Sequence, residues 1–142
     1  MSHVSDKILH NTDSTKQQVE LSLNSILRNL HNILNTRSSL GLKEFLKTDA
    51  ILDNTTFGIP DLTFVCFTAE RDKKMMCEAI KKGITQFENR LTQVKVSFSS
   101  YNPQKKTVEI KVSAHFSRDN VGMSLLLNLN TREFTINEWE HK

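Results

Sequence analysis

Cysteine is nearly absent from this sequence. Cys66 and Cys77 are the only two, they do not form a Cys-x-x-Cys pair, and no histidine stands near them at metal-ligand spacing. The pattern argues for neither a disulfide framework nor a zinc site, and two buried free thiols are expected, as suits a cytosolic chain. The five histidines (His3, His10, His31, His115 and His141) are scattered, and none pairs with a cysteine or carboxylate at metal spacing on one element. A dominant charge is also lacking. Nineteen basic and 16 acidic residues leave a net charge of +3. Lys73-Lys74, Lys81-Lys82 and Lys105-Lys106 are separate pairs without interleaved aromatics, so nucleic acid is not an expected partner. No apolar run approaches the roughly 18 residues needed to cross a bilayer. Residues 1–6 show no basic stretch followed by an apolar one, so neither membrane insertion nor a signal peptide is expected. GxSxG, P-loop and GxGxxG patterns are missing, and no catalytic residue, metal or cofactor is expected.

What the sequence does carry is amphipathic periodicity. Its 142 residues suit one compact domain with a tail. A hydrophobic content of 37% is a little low for a self-sufficient globule, which fits burial against a partner. Residues 1–13 are polar and read as a flexible segment, and residues 14–142 as a single domain. Ser14 and Gln17 have capping-box spacing. Val19, Leu23, Ile26, Leu27, Leu30, Ile33 and Leu34 then recur on one helical face, which predicts a helix over 15–35. Leu42, Phe45 and Leu46 indicate a helical turn. Phe57-Gly58-Ile59-Pro60-Asp61-Leu62 contains two breakers and reads as an ordered loop, and Phe64, Val65 and Phe67 as a short extended piece.

A second helix is expected from Ala69 to Glu88, N-capped by Thr68. Its inner stripe is Met76, Ile80, Gly83, Ile84 and Phe87. Gly83 costs about 1 kcal/mol against alanine there, which close approach of another element would explain. From Leu91 the period changes to two. Val94, Val96 and Phe98 alternate, as do Val108 to Phe116, Val121 to Leu129, and a last short pair, Phe134 and Ile136. Turns are expected at 101–105 and 130–132. The fold class is α+β, a two-layer domain with two long helices packed on a four-stranded antiparallel meander.

One junction holds possible chemistry. Glycoside hydrolysis requires only two well-placed carboxylates, and Glu88 is the conceivable acid. Arg90, two residues on, favours the ionised form of Glu88, whereas a general acid needs the opposite shift. A non-enzymatic protein is expected.

Three blocks then occur in order. The first runs Ser25-Ile26-Leu27-Arg28-Asn29-Leu30 and on to Ile33-Leu34-Asn35-Thr36-Arg37. The second is Phe57 to Leu62. The third runs from Ile84 to Val96 and is followed by Leu127 to Phe134. Over about residues 20–137 this pattern resembles the TssE family of type VI secretion baseplate subunits, within the wider phage-tail baseplate wedge family once called lysozyme-like. The resemblance implies a structural role in a cytoplasmic, membrane-docked baseplate. Its implied partners are the wedge proteins TssF, TssG and TssK and the TssB/TssC contractile sheath, whose assembly such subunits help to nucleate. It implies a docking motif at Glu88, Asn89 and Arg90, where relatives carry Glu-Pro-Arg. Asn89 replaces the proline and is expected to adopt a left-handed helix cap. Relatives often carry Thr-Gly where this chain has Thr131-Arg132, so a different turn is expected. Phe57 stands for a usual tyrosine. Arg37, Pro60 and Asp61 are family-block residues with a structural or partner role, and residues 121–137 are expected to contribute an edge for strand exchange. IraD-type anti-adaptors, which bind a response-regulator adaptor, share the fold family and form the alternative reading, but they lack the first two blocks.

Overall fold

The computed structural model describes residues 11–47, 57–62 and 65–141. Helix α1 spans Asn11–Asn35, α2 Leu42–Lys47 and α3 Glu70–Phe87. Four strands follow: β1 Leu91–Asn102, β2 Thr107–Phe116, β3 Asp119–Asn128 and β4 Glu133–His141. They form one antiparallel sheet in the order β1-β2-β3-β4. This is the expected α+β meander with its helices on one face.

The helices form because their apolar residues fall on one side. Leu23, Ile26, Leu30, Ile33 and Leu34 of α1 are buried, as are Met76, Ala79, Ile80 and Ile84 of α3. They meet the inner face of the sheet, where Val108, Ile110, Val112 and Ala114 of β2 oppose Val121, Met123, Leu125 and Leu127 of β3. Each fully buried aliphatic side chain contributes about 1.5–3 kcal/mol. α1 packs toward β4 and α3 toward β1. Among the described residues no helix is long and apolar enough to cross a membrane.

Several boundaries differ from the sequence reading. α1 is already helical at Asn11, so Ser14 and Gln17 lie inside it and their spacing does not mark its start. Residues 1–10, Phe64 and the side chain of Val19 lie outside the described residues. Ala69, not Thr68, occupies the N-cap of α3 and makes no side-chain cap. Thr68 Oγ1 is engaged with Cys66 Sγ at 3.3 Å, while Asp72 in the first turn of α3 accepts from Cys66 N–H at 2.9 Å. Cys66 is consequently exposed and only Cys77 is buried. Val65 and Phe67 are buried in consecutive turns rather than in an extended piece. β1 carries two bulges, the first with Gln93 at φ 51°, which brings Leu91 and Val94 to the same buried face. A third hairpin turn, at Ser117-Arg118, had no Gly or Asn to announce it. β4 extends well beyond Ile136.

The other two turns are twins. Asn102 Oδ1 accepts from Gln104 and Lys105 N–H, and Asn128 Oδ1 from Asn130 and Thr131 N–H. Each loop ends on a left-handed residue, Lys106 at φ 54° and Arg132 at φ 63°. Arg132 thus holds the left-handed conformation that suits glycine.

Loop 57–62 is stitched to the end of α1. Ile59 N–H donates to Thr36 O at 3.0 Å and Ser38 N–H to Ile59 O at 2.9 Å. The approach requires Gly58, at φ 103°, where a Cβ would stand 2.2 Å from Thr36 O. Ile59 then lies over Gly83, where a Cβ would come within 2.5 Å of Ile59 Cγ2. This is the close approach that the helical glycine implied.

Candidate functional site

The junction between α3 and β1 is a tight turn. Glu88 closes α3, its N–H donating to Ile84 O at 2.9 Å, and leaves the helix at φ −130° and ψ 86°. Leu91 N–H donates back to Glu88 O at 3.3 Å, so Glu88 to Leu91 form a β-turn with Asn89 at its second position. Asn89 is not left-handed: among the described non-glycine residues positive φ is confined to Gln93, Lys106, Ser117 and Arg132. The expected cap is replaced by this turn because the chain must redirect into β1 within three residues.

The turn folds Arg90 back onto Glu88. Arg90 Nε donates to Glu88 Oε2 at 2.9 Å and Arg90 Nη2 to Oε1 at 2.6 Å, a two-point fork. The Arg90 backbone N–H adds a bond to Oε2 at 3.0 Å, and Asn29 Nδ2 of α1 donates to Oε1 at 3.2 Å. Asn29 Nδ2 also donates to Phe87 O, and Arg90 Nη1 donates to Ser25 Oγ, both at 3.0 Å. Ser25 and Asn29, one turn apart on α1, therefore clamp the junction to the first helix. Phe57 packs against Phe87 beside it, the rings tilted and their centroids 4.8 Å apart.

The two charges differ in exposure. The Glu88 side chain is 2% exposed and the Arg90 side chain 42%. Glu88 therefore faces inward, Asn89 is exposed, and only Arg90 offers charge to the surroundings. Burial is the largest single influence on the Glu88 carboxyl and pushes its pKa up. The hydrogen bonds from Arg90 and Asn29, with the charge of Arg90, together outweigh it and hold the pKa below the ordinary value. The direction is the one expected from the neighbouring arginine.

Arg37, Pro60 and Asp61 gather elsewhere, at the C-terminal end of α1. Arg37 Nη1 donates to Leu34 O at 3.0 Å, completing a carbonyl at the helix end. Arg37 Nη2 donates to Arg132 O and so ties α1 to the β3–β4 turn. Pro60 is buried, and Asp61 Oδ2 lies 3.9 Å from Arg132 Nη1. This cluster sits about two helical turns from Asn29, roughly 12 Å along α1.

Ser25, Asn29 and Asn35 hold the structure together without any local motif that marks them. Asn35 pairs with Phe134 as a strand residue would: its Nδ2 donates to Phe134 O at 3.0 Å and its Oδ1 accepts from Phe134 N–H at 2.7 Å. Asparagine is a poor helix former, and Asn29, Asn32 and Asn35 crowded into one helix were the available signal that some make tertiary bonds. The expected strand-exchange segment also narrows. β3 is paired with β2 on one side and β4 on the other, so residues 121–128 offer no edge; the free side belongs to β4. No group of three or more His, Cys, Asp or Glu placed to hold a metal occurs among the described residues.

A family model described as baseplate wedge protein gp25 matches residues 20–121, which is most of the chain. The chain belongs to the baseplate wedge family. The matched region takes in α1, loop 57–62, the α3–β1 junction and the sheet as far as the start of β3, and the family places this protein in a phage-tail-like baseplate among protein partners. β4 and the twin turn at Asn128 lie beyond the match. No curated protein matches the chain.

Proposed function

We propose that this baseplate wedge protein is a non-enzymatic, TssE-type subunit of a bacterial type VI secretion system. It works in the cytoplasm, in a baseplate docked at the membrane. In this reading the Glu88-Asn89-Arg90 junction docks on the TssF–TssG core of the wedge, with TssK as a neighbour. The β4 edge meets the first ring of the TssB/TssC sheath and helps to nucleate it. The observation that carries the reading is the Glu88–Arg90 fork, fastened to α1 by Ser25 and Asn29. A charged group held rigidly at a helix end fixes the register of a partner helix through charge-assisted hydrogen bonds. The ionised state of Glu88 suits this role and is the opposite of what a general acid requires.

The test is co-purification of the full chain with a co-expressed TssF–TssG complex. Wild type is expected to co-purify, and Glu88→Ala and Arg90→Ala to be lost from the complex. Because Glu88 is buried, thermal unfolding of each variant separates loss of docking from loss of fold. Wild-type protein that fails to co-purify, or both folded variants co-purifying at wild-type levels, overturns the reading.

A further inference from the structure

The docking reading leaves open which atoms of the junction a partner touches. Glu88 has little left to give, because its carboxylate already accepts four hydrogen bonds inside the chain. Arg90 is half-exposed, and its bonds to Glu88 and Ser25 use three of its five side-chain N–H donors. Beside it runs the outward ridge of α1. Leu21 lies one turn before Ser25 on that ridge and, at 68%, is the exposed large hydrophobic of the described residues. Arg28, also exposed, lies two turns after Leu21 and flanks the ridge on the side of β4. From Leu21 to Asn35 α1 contains no acidic residue, so the ridge is apolar at one end and bordered by cations.

We propose that the partner-facing surface of the junction is this ridge, with Leu21 as its apolar anchor and Arg90 and Arg28 as its charges. Its occupant is a helix of another protein that sets an apolar side chain against Leu21 and carboxylates against the two arginines. Glu88 is then a positioning residue that holds Arg90 at the ridge. Leu21 and Arg28 lie about 10 Å apart along the axis, two turns, so a helix laid along α1 meets both with side chains of matching spacing. Charge complementarity selects an acidic partner face.

The inference rests on the docking reading, and one experiment separates the two. Binding of the full chain to the TssF–TssG complex is measured by titration for wild type, Leu21→Asp, Arg28→Glu and a control charge reversal on the outer sheet face, Lys111→Glu. Leu21→Asp and Arg28→Glu are each expected to weaken binding about ten-fold or more. Both keep the wild-type thermal midpoint, and Lys111→Glu binds as wild type. Raising salt is expected to weaken wild type more than Arg28→Glu. If wild type binds and both ridge variants bind equally well, the ridge is not the contact although the docking reading stands. If Lys111→Glu weakens binding as much as they do, the effect is one of net charge and the ridge is again rejected. If wild type does not bind, the docking reading itself falls, and this inference with it.

Discussion

At the scale of single residues, the junction turns on what Glu88 and Asn89 are bonded to. The folded state lowers the Glu88 pKa below its ordinary 4.5, so the proton is bound more tightly in the unfolded chain. The stabilising contribution is therefore complete above pH 4.5 and is lost as pH falls through the folded-state value beneath it. Unfolding midpoints followed by circular dichroism between pH 7 and pH 3 are expected to fall less steeply for Glu88→Gln than for wild type in the acid range. Equal slopes would remove Glu88 as a contributor. Asn89 gives a second expectation. The second position of a β-turn favours the φ that proline fixes, and Glu88 before it has already left the helical region, at φ −130° and ψ 86°. Asn89→Pro is expected to keep the fold and raise stability by about 0.4–1 kcal/mol, read from urea denaturation; a destabilised variant would show that Asn89 needs its N–H. The carboxylate–arginine pairing was legible in the sequence from spacing alone. The inward direction of Glu88 was not, because it depends on Asn29, 59 residues away.

At the scale of elements, periodicity decided most of the fold. The stripe of α1 and the alternation of β2 and β3 survive in the structure because one face of each is buried, and burial is what such patterns record. Pattern gives way where backbone and side-chain bonds override it: the bulge at Gln93, the turn at Ser117 and the start of α3, which has no side-chain cap. Gly83 shows a pattern exception read correctly. Alanine would gain about 1 kcal/mol of helix propensity, but its Cβ would stand 2.5 Å from Ile59 Cγ2. Overpacking of this kind costs about 1–3 kcal/mol, so Gly83→Ala is expected to be destabilising by denaturant titration. Ile59→Ala, costly alone, is expected to cost less in the Gly83→Ala background. Strict additivity of the two would mean that the loop moves aside freely.

At the scale of the whole molecule, the three sequence blocks become one bonded frame. α1 is joined to the junction through Ser25 and Asn29, to the loop through Thr36 and Ser38, and to the sheet through Asn35 and Arg37. No single block revealed this, since every joint pairs residues distant in sequence. Asn35 joins helix and sheet most directly. Asn35→Ala leaves the N–H and C=O of Phe134 without their partner and is expected to cost about 1–3 kcal/mol. Hydrogen exchange should show faster exchange at the Phe134 amide, with the β2–β3 ladder unchanged; an unaltered Phe134 amide would mean that β4 does not rely on the helix.

The same asparagine sets a limit on anything that lies down beside β4. A side-chain amide occupying both backbone groups of Phe134 ends the strand's open margin at that residue. The next groups facing the same way belong to Ile136, two residues on, where the groove beside Leu27 and His31 begins. A strand added here cannot slide toward the β3–β4 turn, so its first residue has a fixed address, and a one-residue error in register would bring its side chains to the wrong face.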